Sequence, residues 1–185
     1  MTDAGRGASW FIALPVPPEG WFPGTLGSVP AGLRLLAPGD LHLTVAFLGA
    51  CGEPRARQAF TRAGEWSLGR TAVSLGSLVP LGPSSRWSAL SWLLDEGRDE
   101  LREELARVRD GWAEAAGMAP ERREALPHIT VARPRRGATE EERQHALSWA
   151  AHLRVPAHSL RLGPPALYTW SEDRRERLFR IVERS

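Results

Sequence analysis

The chain has 185 residues, with 24 basic and 22 acidic side chains, five His and one Cys, and every basic residue is Arg. A formal net charge of +2 and a 42% apolar share describe an ordinary globule, and the total charge argues for no particular partner, nucleic acid included. Cys51 alone makes no intramolecular disulfide and no Cys/His metal cluster is spelled out; without Lys, Schiff-base and amine-nucleophile chemistry is excluded.

Residues 1–9 are small and polar, with no hydrophobic signal region. No later apolar run approaches the roughly 20 residues that span a bilayer. A reducing, cytoplasmic setting, no membrane partner and a monomer are expected. Residues 10–16 (WFIALPV) read as a strand, and 15–39 is heavy in Pro and Gly, with room for at most a short helix. Residues 41–47 (LHLTVAF) read as a strand, after which Gly52 and Pro54 break the chain. A helix then runs to about Trp66, with Ala56, Ala59, Phe60 and Ala63 at helical spacing. Two strands are predicted next, at 71–81 and 89–94. Residues 98–116 form a clear helix whose stripe is Leu101, Leu105, Val108 and Trp112, with Gly117 as its stop.

Residues 127–133 (PHITVAR) repeat the earlier motif: both read His-apolar-Thr-Val-Ala, close to half the chain apart. Pro134 and Gly137 follow. Thr139 with Glu142 makes a capping box for a helix to about Leu153. Residues 159–170 and 177–183 read as two strands. The order helix–strand–strand is thus the same in both halves. This describes two βαβ-like units, about 10–94 and 95–185, each with an antiparallel return strand. Units duplicated in this way pack about a pseudo-twofold axis, with both motif strands facing one cleft.

On a strand, side chains alternate faces. His42 and Thr44 therefore share one side, as do His128 and Thr130, and Ala46 and Ala132 would continue that polar face. Leu43, Val45 and Phe47, and in the second motif Ile129 and Val131, would point the other way. Two imidazoles suit acid–base work near neutral pH, each role giving about 10²–10⁴-fold. Two Thr hydroxyls can donate to the non-bridging oxygens of a phosphodiester as charge builds on them. No metal or other cofactor is needed. A single His-x-Thr is most simply a core or surface His beside a β-former; it is the second copy, with Val, Ala and a following helix, that points to chemistry.

These residues resemble the 2H phosphoesterase superfamily, and within it the bacterial and archaeal RNA 2′,3′-cyclic phosphodiesterase group, historically named 2′-5′ RNA ligase. Phe11-Ile12-Ala13-Leu14-Pro15, residues 40–49 around His42, residues 126–133 around His128, and the closing Leu167-Tyr168 and 178–182 carry the likeness. The resemblance implies a bilobal α+β fold with two antiparallel sheets around a cationic cleft, the end strands free to exchange between lobes. It implies that a terminal 2′,3′-cyclic phosphate of RNA is opened by water to a 2′-phosphomonoester. His42 would then be the proton donor and His128 the proton acceptor, with Thr44 and Thr130 holding phosphate oxygens. Val45 and Val131 fill the fourth motif positions. Reversible ligation to a 2′-5′ linkage is the same chemistry with an RNA hydroxyl in place of water.

Arg133 and Phe47 occupy matching positions five after each His. Arg133 is a candidate phosphate partner, although strict alternation puts it opposite His128 unless a bulge, a strand end or a long reach intervenes. Phe47 is a candidate platform for the terminal base, with packing against Leu43 and Val45 as the competing reading. Asp40 is either an orienter of His42 or a turn residue. Arg135 and Arg136 are either RNA-backbone contacts or a solvated loop. His145 and His152 read as a helix face, while Trp92 and Trp112 read as core. Within enzymes, the alternative substrates are nucleoside 2′,3′-cyclic monophosphates or ADP-ribose 1″,2″-cyclic phosphate. Outside them, the alternative is a non-catalytic nucleotide- or RNA-binding module.

Overall fold

The computed structural model describes residues 7–185, with the backbone alone at Ser85; of the polar stretch 1–9 only residues 7–9 fall within it. β1 (Trp10–Pro15) is covered on both faces. Trp10, Ile12 and Leu14 enter the main core, whereas Phe11 and Ala13 join a small apolar cluster on the opposite side. The Pro- and Gly-rich stretch holds β2 (Leu33–Leu35), three residues that the pattern did not predict. β3 (His42–Gly49) carries the first motif and β6 (His128–Pro134) the second. Between them lie α1 (Glu53–Phe60), β4 (Thr71–Leu81), β5 (Ala89–Leu94) and α2 (Arg98–Ala115). α1 is shorter than expected, because its last part tightens into a 3-10 turn over Thr61–Glu65.

α2 buries the predicted stripe: Leu101, Leu105, Val108 and Trp112 are each at most 2% exposed, worth about 1.5–3 kcal/mol apiece. Gly117 ends the helix at a φ of 79°, where its N–H donates to the Glu114 carbonyl and that of Met118 to Ala113. α3 (Glu140–His152) opens on the predicted capping box, with the Thr139 and Glu142 side chains each accepting the other's N–H. The stretch 159–170, expected as one strand, is instead β7 (Ser159–Leu162) and β8 (Ala166–Trp170). Pro164 and Pro165 lie between them and lack the N–H that a ladder requires. β9 (Phe179–Arg184) closes the chain.

The strands form two antiparallel sheets, ordered β3-β1-β8-β9 and β2-β6-β5-β4-β7. Each half of the chain gives strands to both sheets, so the two sheets interleave the halves. The inner orders correspond, β3-β1-β8-β9 with β6-β5-β4-β7, and β2 is an addition that covers the free edge of β6. β3 is the edge of its own sheet and lies against β6 and α2. The main core fills the space beneath, with Trp92 and Trp112 fully buried in it, as expected. This arrangement brings the two motif strands together along the line where the sheets meet.

Candidate active site

Both motif strands break strict alternation at the same place. Ile12 pairs with Ala46 but Ala13 with Thr44, so Val45 is an extra residue on β3. Leu90 pairs with Ala132 but Ser91 with Thr130, so Val131 is the extra residue on β6. Such a bulge reverses the faces of the residues that follow it, here Ala46 and Phe47 on β3 and Ala132 and Arg133 on β6. The expected polar triplet His-Thr-Ala is corrected accordingly: Ala46 lies in the main core at 1% exposure and Ala132 in a second core cluster at 0%. Phe47 and Arg133 turn outward instead. Phe47 is 56% exposed, which overturns its reading as core packing. Val45 and Val131 are themselves buried.

The two histidines are held in one way. Nδ1–H of His42 donates to the Asp40 carbonyl at 2.6 Å, and that of His128 to the Leu126 carbonyl at 2.7 Å. Anchoring Nδ1 leaves Nε2 of each ring free to exchange a proton. Around His42 stand the rings of Phe11, Phe179 and Tyr168, at 4.9, 5.4 and 5.6 Å between centroids. Burial lowers the His42 pKa to about 4, against the Asp40 hydrogen bond that supports the charged form; the positive charges of Arg133 and His128 lower it further. Burial lowers that of His128 as well. Both rings are therefore neutral at pH 7 in the free protein.

Asp40 supports this wall with two different groups. Its carbonyl holds His42, while its buried carboxylate accepts the N–H groups of Leu178 and Phe179 at 2.7 and 2.9 Å. It thus fixes the start of β9, and with it the Phe179 ring, against the imidazole. The carboxylate does not itself bond His42, as an orienting Asp would be expected to do.

Sequence reading missed Ser91. Its side chain is completely buried and its hydroxyl lies 2.9 Å from that of Thr130. It was legible only through pairing, as the residue of β5 opposite Thr130. In the other sheet Ala13 stands opposite Thr44.

Thr44, Phe47 and His128 line one cavity of about 630 Å³ together with Leu105, Met118 and Leu126. Phe47 of the first motif therefore sits with the histidine of the second. Arg133 of the second motif acts electrostatically on the histidine of the first. The motif strands thus exchange their fifth residues across the cleft. His145 and His152 stay on α3, where Nδ1 of His152 bonds the Ser148 carbonyl. Among the described residues, no group of three or more His, Cys, Asp or Glu side chains converges, and no helix is long and apolar enough to cross a membrane.

No protein-family model matches the sequence, and no curated protein does so significantly. Solved structures do match. E. coli LigT complexed with 3′-AMP aligns at a TM-score of 0.66 with 21% identity, covering 96% of this chain and 95% of that one. A structure described as a phosphoesterase aligns at 0.65 with 21% identity over 97% of both chains. The TT0787 protein of Thermus thermophilus aligns at 0.65 with 19% identity over 95% of both. The fold is that of the LigT-like 2H phosphoesterases. Regular alternation ahead of each bulge puts His42 and Thr44 on one face of β3, and His128 and Thr130 on one face of β6.

Asp40→Ala removes the acceptor from two half-buried N–H groups, those of Leu178 and Phe179. Chemical denaturation should register a loss of about 2 kcal/mol or more, whereas an unchanged midpoint would contradict the clamp. An NMR titration of the imidazoles should find His42 half-protonated near pH 4. Because the folded His42 value is lowered, neutral His42 costs the folded state nothing above the unfolded value of 6.5. Folding stability falls as pH drops from 6.5 toward 4, where only the unfolded chain takes up the proton at His42. A His42 value at or above 6.5 would contradict the burial argument.

Proposed function

We propose that the chain is a 2H phosphoesterase that opens the terminal 2′,3′-cyclic phosphate of RNA with water, leaving a 2′-phosphomonoester. One observation supports this reading: two imidazoles, each with Nδ1 tied to the carbonyl two residues before it and a Thr two residues after it, stand near enough for the charge of His128 to act on His42. The occupant reported for the E. coli LigT structure, 3′-AMP, fits a nucleotide in such a cleft.

In this reaction water forms a bond to phosphorus and gives a proton to Nε2 of His128. The bond from phosphorus to O3′ breaks, and Nε2–H of His42 protonates that oxygen. Thr44 and Thr130 donate to the non-bridging oxygens, with Ser91 holding the Thr130 hydroxyl in place. Arg133 adds a permanent positive charge, and Phe47 offers its face to a base. No step calls on a cofactor or a metal. An RNA 5′-hydroxyl in place of water would give the 2′-5′ linkage by the same exchange.

His42 must be charged to act, although it is neutral in the free protein. An anionic phosphate arriving between the rings raises its pKa, as an opposite charge does. The substrate thus brings the charge that readies its own acid.

RNA ending in a 2′,3′-cyclic phosphate should be converted to the 2′-phosphate with EDTA present. His42→Ala and His128→Ala should each lower kcat about 10²–10⁴-fold with an unchanged circular dichroism spectrum. A 3′-phosphate product, or either variant keeping full activity, would refute the two-histidine reaction. The pH dependence of kcat/KM should be bell-shaped with its optimum below 6.5, because both free-enzyme values lie below that point. The alkaline limb of kcat should lie at higher pH than that of kcat/KM, since kcat reports the complex. Coincident limbs would contradict activation by the bound anion.

A further inference from the structure

A second pocket, of about 490 Å³, adjoins the His42 side of the cleft and shares no lining residue with the cavity around Phe47. Arg34, Arg133, Arg135, Arg136 and Arg174 line it, and no acidic side chain does. Among the described residues none of these five arginines forms an ion pair. Arg34 and Arg133 stand directly opposite each other across β2 and β6. Like charges so placed are destabilising unless an anion joins them.

Neutral groups hold the guanidinium heads. Arg34 Nη2 donates to the Arg174 carbonyl at 3.0 Å, and Arg135 Nε to the Ala31 carbonyl at 2.8 Å. The Arg174 guanidinium lies 4.3 Å over the Trp170 ring. These contacts position the charges without neutralising them. Arg34 belongs to one sheet, while Arg174 lies in the β8–β9 connection of the other. The pocket therefore straddles the sheets at one end of the cleft. Asp40 fixes its wall at Leu178, and Arg133 links it to His42.

We propose that this pocket is a subsite for a second phosphate group of the substrate, one linkage away from the cyclic phosphate. The inference rests on the reaction proposed above. If His42 protonates O3′, the ribose of the terminal nucleotide lies on the His42 side, and its 5′ oxygen leads toward the arginines. Planar guanidinium groups suit phosphate oxygens, and each charge-assisted hydrogen bond strengthens binding. β2, which the inner sheet order does not require, has a role in this reading because it carries Arg34.

The test compares two nucleoside 2′,3′-cyclic phosphates that differ only in a 5′-hydroxyl or a 5′-phosphate. In the unaltered protein the 5′-phosphate should lower KM about tenfold, the size of one charge-assisted hydrogen bond, with little change in kcat. In Arg34→Ala and Arg174→Ala the ratio between the two substrates should fall toward one. No preference in the unaltered protein, or a preference that survives both substitutions, would overturn the subsite. A dinucleotide ending in the cyclic phosphate and ADP-ribose 1″,2″-cyclic phosphate, run alongside, tell whether an internucleotide diester or a diphosphate is favoured over the monoester. Calorimetry with adenosine 2′,5′-bisphosphate against adenosine 2′-monophosphate reads the subsite without turnover. Arginine-dependent preference for the bisphosphate with no hydrolysis of any substrate would refute the reaction and keep the subsite. Hydrolysis without that preference would do the reverse.

Discussion

One extra residue in each motif strand decides what the cleft contains. A regular β3 would bury Phe47 beneath the sheet and leave Ala46 facing the cleft; a regular β6 would send Arg133 away from His128. With Val45 and Val131 bulged, the alanines take core positions and the larger residues turn into the cleft. The bulged valines stay buried, so the local loss of ladder pairing is offset by apolar contact. The crosswise arrangement follows from this. Because the strands meet with like elements facing, Phe47 joins His128 and Arg133 reaches His42.

The second constraint is desolvation. Each imidazole has one nitrogen committed to a carbonyl and is crowded enough to be neutral at rest. A neutral pair avoids placing two positive charges next to Arg133. In the proposed reaction it would also let the site respond to an anionic substrate, whose charge offsets what burial took away. The aromatic wall that creates this effect is not free-standing. Phe179 is held through its backbone by the Asp40 carboxylate, so the proton affinity of His42 depends on a buried ion two residues before it.

What the sequence makes legible is local. The α2 stripe and the Thr139 capping box are short-range patterns, and both occur where the spacing placed them. The repeated His-x-Thr made the shared face of each His and Thr legible, because alternation over three residues suffices for that. The limits appear where a partner strand decides. A bulge depends on the pairing strand, and nothing within residues 42–47 announces it. Ser91 acquires meaning only opposite Thr130. Residues 33–35 are too few to show a period, and they form β2 because β6 offers an edge. The stretch 159–170 carries its own signal, Pro164-Pro165, which outweighs its apolar content.

The pseudo-twofold relation is broken in a manner that favours the proposed roles. Thr130 faces the Ser91 hydroxyl, whereas Thr44 faces Ala13. His42 is enclosed by three aromatic rings, while His128 opens onto the larger cavity. The enclosed ring binds a proton weakly and, once charged, gives it up readily, which suits a donor to a poor leaving group. The more open ring stands where water can approach, which suits the proposed acceptor, whose proton must return to solvent. In the proposed reaction two copies of one motif serve as acid and base because their surroundings differ.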